Sequence, residues 1–326
     1  MSDNGLLDRL LSQADPARTP QDAKPDAAAL QVRERIIRSA PRRHPRRRAF
    51  VGWASGLAVA AAAVVVAVAV LVPQSMAVAG SPAPLDFSAA ESTTETLRAA
   101  QTALAEPGGP AEPERLVRSA TWGLDINGGT GETEVVPQLN TLRWEPDLSG
   151  RMVSISGVPY DPTDASANVG AEISSSGEVS VDLAMEPGQF STPVPDVFGD
   201  SLADVEGALT AFGMPDEPTG SEVVLATTAV LEQWTLTNAQ ESRIIDLLAA
   251  ADGVEALGST TDRLGRPVAG LRVVSGDGAA SDVVLLSLET GRIVGVERTN
   301  IVEDELIAAG AILSYTMWDV DERLVE

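Results

Sequence analysis

The side chains that most often carry chemistry are nearly missing from this chain. Its 326 residues contain no cysteine, one histidine (His44) and one lysine (Lys24). Disulfides, thiolate metal sites and cysteine nucleophiles are therefore excluded. Beyond residue 48 there is no imidazole base, no Schiff-base lysine and no usual set of zinc ligands. Asp, Glu, Ser, Thr, Tyr and Arg remain. Ser149-Gly150 cannot join a serine triad without a histidine, and reads as a turn. Asp161 with Asp164, and Asp319 with Asp321 and Glu322, offer oxygens for calcium. Neither group has the calcium-loop spacing or its glycine, so both read as solvated acidic turns. A carboxylate pair for glycoside hydrolysis is conceivable, but no spacing picks one out. The expectation is a protein without enzymatic activity, cofactor or metal. Trp122 and Trp144 are the candidate lining of a ligand groove, with a place in the core as the alternative.

The elements that must position these residues are divided by one apolar run. Ala49 to Val72 spans 24 residues without a charge. As a helix rising about 1.5 Å per residue it would cross a hydrocarbon core of about 30 Å. Arg42, Arg43, Arg46, Arg47 and Arg48 precede it, and no basic residue follows until Arg98. This asymmetry predicts a single-pass plasma-membrane protein, N-terminus cytoplasmic and C-terminal domain extracellular, with Trp53 near the inner interface. A cleaved export signal is the rival reading: Arg47-Arg48-Ala49-Phe50-Val51 resembles a twin-arginine motif, and Ala77-Val78-Ala79 a cleavage site. The length of the run and of the segment before it favours an uncleaved anchor.

Charge divides at the same place. Residues 1–48 hold eleven Lys and Arg against six Asp and Glu; the rest holds twelve against forty-one. An acidic domain of this kind excludes nucleic acid as its partner, because phosphate contacts need Arg and Lys. The tail, 1–48, should form two short helices, 4–12 and 27–39. Their apolar faces, centred on Leu6 and Leu10 and on Leu30 and Ile37, are too small to make a core. They either meet a cytoplasmic protein or stay partly disordered. The arginine cluster also suits anionic headgroups.

Residues 73–87 read as a linker. A first unit, 88–200, should open with a helix from Ser88 to about Ala105, Leu97 and Leu104 on one stripe. The period then changes to two. Strands are expected at 116–126, 141–145, 152–156, 171–174 and 179–183, with turns at Asn127-Gly128-Gly129 and Ser176-Gly177. A second unit, 201–326, should hold three helices: one striped by Leu202, Val205, Leu209 and Phe212, one over 222–234, and one capped by Thr237 with Gln240. Strands follow at 254–258, 268–274, 283–288 and 293–298, and 308–318 is a last strand or helix. The fold class expected is α+β: one transmembrane helix, then two antiparallel β-meander groups with segregated helices.

Several of these stretches together resemble a known family. They are the arginine cluster and Ala/Val anchor, Arg118-Ser119-Ala120-Thr121-Trp122, the helix Thr237–Ala251 running into Gly253-Val254, Thr261-Asp262-Arg263-Leu264-Gly265-Arg266, and Leu288-Glu289-Thr290-Gly291-Arg292 followed by Ile293-Val294-Gly295. The chain resembles an actinobacterial family of single-pass membrane proteins of uncertain function, often associated with extracytoplasmic-function sigma factors. Its motifs are turns and caps, so the resemblance implies a fold and brings no catalytic residues. The chain is also loosely similar to the concave half-barrels of periplasmic sigma-regulator and lipoprotein-carrier domains, by analogy of fold. The function expected is that of a membrane-anchored sensor or regulator. Its outer domain would bind an envelope ligand or protein, and its inner helices a partner such as a sigma factor. A tethered binding module without signalling and a carboxylate-dependent hydrolase are the alternatives.

Overall fold

The computed structural model describes residues 82–88, 92–123, 136–161, 164–303 and 307–325. The tail with Leu6, Leu10, Leu30 and Ile37, the apolar run 49–72 and the turn Asn127-Gly128-Gly129 lie outside the described residues.

Four strands come first: β1 (Leu116–Gly123), β2 (Gln138–Trp144), β3 (Gly150–Gly157) and β4 (Ser175–Met185). Five more close the chain: β5 (Glu255–Thr261), β6 (Pro267–Val274), β7 (Ala280–Ser287), β8 (Ile293–Asn300) and β9 (Ile312–Trp318). The helices are α1 (Thr93–Leu104), α2 (Leu202–Ala211), α3 (Gly220–Leu231), α4 (Asn238–Ala250) and the terminal turn α5 (Glu322–Val325). Helix starts are written in the sequence. Ser92 with Glu95, Thr219 with Glu222 and Thr237 with Gln240 form capping boxes, and Ser201 caps α2. Each cap satisfies backbone N–H groups that the first turn leaves without partners. The first helix therefore begins at Thr93, later than the expected Ser88.

The expected fold class is corrected. Among the described residues the strands do not form two meander groups; they form one nine-stranded antiparallel sheet in the order β4-β3-β2-β1-β9-β8-β7-β6-β5. The seam is β1 against β9, from Ser119 opposite Trp318 to Gly123 opposite Ser314. A meander ending at β1 leaves a row of unpaired backbone groups, and the last strand of the chain covers it. Strand outweighs helix, so the described region is mainly β. Residues 308–318 contribute a strand, β9, while 171–174 form no strand, although Ile173 N donates to Arg263 O at 2.8 Å and Ser174 O accepts from Val158 N at 2.9 Å. The expected turn at Ser176-Gly177 lies inside β4, where two register shifts against β3 absorb it and Gly177 takes φ 77°.

The transmembrane helix and the plasma-membrane placement are corrected with it. The longest described helix has 13 residues, about 20 Å at 1.5 Å per residue and short of a span of about 30 Å. No helix among the described residues is long and apolar enough to cross a membrane.

The sheet carries a core on each face. On one side α1 to α4 pack against it through Leu97, Leu209, Val223, Ile244 and Ile245, with Trp234 of the α3–α4 connection, meeting Leu271, Val284 and Trp318. On the other, Trp122, Leu139, Tyr160, Leu285, Tyr315 and Met317 form a second core with few helical residues. Strand β7, between the two layers, is buried at all eight positions. That explains its unbroken apolar run Val283-Val284-Leu285-Leu286, where a half-exposed strand would alternate.

Candidate binding groove

The second face of the sheet is a groove with an occupant, and the occupant is the chain itself. Residues 82–88, Pro-Ala-Pro-Leu-Asp-Phe-Ser, run along it. Pro82 and Ala83 are buried; from Ala83 on the burial alternates, Leu85 and Phe87 half-buried and Pro84, Asp86 and Ser88 exposed. Leu85 and Phe87 pack on the second core. At Gly270 of β6 a side chain would collide with the Phe87 ring, so the missing Cβ makes the socket for that ring. At the end of the segment, Ser88 N donates to Ser259 O at 2.9 Å, and the two serine hydroxyls lie 2.8 Å apart.

Two buried charges grip the backbone of this strap. Arg263 Nε donates to Glu297 Oε2 at 2.8 Å, and Nη2 donates to both Glu297 and the Ala83 carbonyl, the latter at 2.9 Å. The backbone N–H of Leu85 lies close enough to Glu297 to favour its charged form. The Arg263 and Glu297 side chains are 2% and 3% exposed, so neither charge is shared with bulk water. Burial pushes the Glu297 carboxyl above its usual range, and Arg263 pulls it back. The tight β5–β6 turn positions Arg263. Asp262 Oδ1 accepts from Leu264 N and Arg266 N, both at 2.9 Å, and Gly265 takes φ 76°. Arg266 then ties the turn to the Trp318 and Val294 carbonyls at 2.7 and 3.0 Å.

Buried aromatic rings of the second core, Trp122, Tyr160 and Tyr315, pack beside the pair. Arg263 lies 5.2 Å above the Tyr315 ring, within cation–π range. Trp122 stacks on Tyr315 with centroids 6.0 Å apart and meets Tyr160 edge-on at 6.1 Å. The Tyr160 and Tyr315 hydroxyls share a 2.9 Å hydrogen bond. Burial raises both phenol pKa values, so the hydroxyls stay protonated at neutral pH and offer no base.

Trp122 and Trp144 do not meet. Trp122 belongs to the groove side and Trp144 to the helix side. Trp144 Nε1 donates to Gln233 O at 2.8 Å; its ring stacks on Phe190 and meets Trp234 edge-on, with Arg115 4.9 Å above both indoles. The C-terminal carboxylates are each paired with an arginine. Asp319 pairs with Arg292, Asp321 with Arg323 and Glu322 with Arg118. Asp164 caps a single 3-10 turn, Ala165–Asn168. Among the described residues no group of three or more His, Cys, Asp or Glu could hold a metal ion.

Arg263, Glu297, Arg292 and Glu241 escaped sequence reasoning as site residues. Each arginine stands within two residues of a turn glycine between apolar strands, Arg263 near Gly265 and Arg292 beside Gly291, which is the available signal. Arg292 ties the β7–β8 turn to α4 and the C-terminal segment. Its Nη2 lies 2.6 Å from Glu241 Oε1, Nε donates to Asp319 at 2.9 Å, and Nη1 donates to Leu236 O and Asn238 Oδ1, each at 3.0 Å. Glu241 Oε2 accepts from Ile293 N at 2.7 Å. The Glu241 Oε1 contact is off the N–H direction, so it carries no aligned hydrogen bond. A cavity of about 230 Å³ separates α1 from β5–β7. Ala, Gly and Leu with three hydroxyls line it, and no charged group does.

No family model matches the chain, and neither does any curated protein. Among solved structures it is similar to MucB in complex with the periplasmic part of MucA, at TM-score 0.26 and 12% identity, over 72% of this chain and 59% of that one. The Pseudomonas aeruginosa MucA/MucB complex gives TM-score 0.26 and 13% identity, over 72% of this chain and 60% of that one. An outer membrane lipoprotein-sorting protein domain from Vibrio parahaemolyticus gives TM-score 0.21 and 10% identity, over 71% and 96%. The chain thus spans about three-fifths of the MucB-complex chains it matches. At such scores these likenesses carry no argument about fold or function.

Proposed function

We propose that this chain is a non-enzymatic binding module with a regulatory role, whose sheet groove takes an extended segment of a protein partner in exchange for residues 82–88. The grip on the strap carries this reading. Arg263 and Glu297 engage a backbone carbonyl and a backbone N–H, which any sequence offers. Leu85 and Phe87 fill sockets at alternate positions. Main-chain hydrogen bonds for affinity and alternate pockets for specificity are how extended peptides are recognised. The segment that fits has apolar residues two apart. The strap joins the groove to residues 1–81, so its release alters what that part of the chain can reach. A sigma factor, which the family resemblance implies, would be met there by Leu6, Leu10, Leu30 and Ile37.

The test is fluorescence anisotropy with a labelled peptide of residues 82–88. Phe87→Asp detaches the strap and should bind the peptide at least tenfold more tightly than the natural chain. Gly270→Leu fills the socket and should abolish binding to the detached variant. Equal, negligible binding by the natural chain and by a folded Phe87→Asp variant would remove the proposal.

A further inference from the structure

Strand β4 forms one edge of the sheet, and no described strand lies on its outer side. It is exposed at every position from Ser176 to Ala184, although it is 11 residues long. Val179, Val181 and Leu183 are 56%, 42% and 50% exposed. Natural edge strands are commonly blunted by charges, bulges, proline or short length; β4 is long and lacks lysine and proline, and its two charges, Glu178 and Asp182, leave the apolar row Val179, Val181 and Leu183 exposed. Its register shifts fall toward its first half. From Val181 to Met185 it pairs with Ser154 to Gly150 without interruption. In that run Val181, Leu183 and Met185 share one face, and Asp182 and Ala184 the other.

We infer that β4 docks a second copy of this chain, strand to strand and antiparallel, about a two-fold axis at Leu183. The sequence is self-complementary in that register. Leu183 faces Leu183, Val181 faces Met185 and Asp182 faces Ala184. A register centred on Asp182 would set two carboxylates directly opposite each other, which is unfavourable. Asp182 is instead neutralised on its own sheet by Arg151, through two 2.8 Å hydrogen bonds. The pairing fills the edge ladders of both copies, brings the two apolar rows side by side on one face as cross-strand pairs and extends the sheet across both molecules. The interface is isologous, as two-fold dimers require. The formal net charge of −24 per chain opposes association at long range, so added salt strengthens the dimer.

The absence of cysteine makes the test direct. In a full-length Leu183→Cys variant the two thiols face each other, with Cα atoms about 4.5–5.5 Å apart in an antiparallel pair, within disulfide range. Mild oxidation with diamide at micromolar protein should convert most of it to a covalent dimer. Leu225→Cys, more accessible on α3 (65% exposed against 50% for Leu183), should stay largely monomeric. Sedimentation velocity of the uncrosslinked chain should show a dimer that grows with salt and is lost in Leu183→Lys. Association that survives Leu183→Lys, or equal cross-linking at 183 and 225, would overturn the inference. So would a monomer at every salt concentration.

Discussion

Arg263 and Glu297 make the sharpest statement at the scale of the residue. A buried ion pair is weak evidence of stability, because desolvation opposes the Coulomb attraction. Breaking it is another matter. Arg263→Met leaves Glu297 charged and alone, and should lower the unfolding free energy by about 3–5 kcal/mol in urea denaturation. Arg263→Met with Glu297→Leu removes both charges and should recover most of that loss. The double variant should still lose its grip on Ala83 and Leu85, seen as faster hydrogen exchange of the Leu85 amide than in the natural chain. Recovery of stability without faster exchange would show that the pair serves the core alone. Arg263 was readable in the sequence only as part of a turn. Asp262, Gly265 and Arg266 do form that turn, but the partner of Arg263 lies 34 residues away on β8, and local pattern carries no such information.

Among the elements, α4 and the β7–β8 turn are joined by Glu241 and Arg292. Burial raises the Glu241 carboxyl from 4.5 to about 8, with Arg292 opposing the shift and Asp319 adding to it. A carboxyl that binds its proton more tightly when folded favours the folded state at low pH. Its contribution is complete below its unfolded value and is lost as pH rises through about 8. Thermal unfolding should therefore show a stability that declines between about pH 5 and pH 8, and Glu241→Gln should flatten that decline. An identical pH profile in the variant would contradict the assignment. The elements themselves were largely legible. The capping box at Thr237, the helix striped by Leu202 and Leu209, and the strands near 268–274 and 293–298 follow from local spacing. The β1–β9 seam does not, because it joins residues almost 200 positions apart. Nor does the placing of Trp122 and Trp144. Alternation fixes faces within a strand, but the register between strands decides which faces coincide, and one residue of slip reverses it. Here Ala120 faces Leu139 and Val117 faces Leu142, so the two indoles emerge on opposite sides.

The described residues form a single sheet with helices on one face and the strap 82–88 on the other. The account depends on that strap being an exchangeable occupant. Ser88 and Ser259, whose hydroxyls lie 2.8 Å apart, offer a lock in a chain without cysteine. In a Ser88→Cys, Ser259→Cys variant, the disulfide should pin the strap when oxidised and free it when reduced. The decisive measurement is anisotropy of the labelled 82–88 peptide against this variant in both redox states. Binding on reduction with none on oxidation is the predicted result. Equal binding in both states, with the disulfide confirmed by mass, would contradict the account.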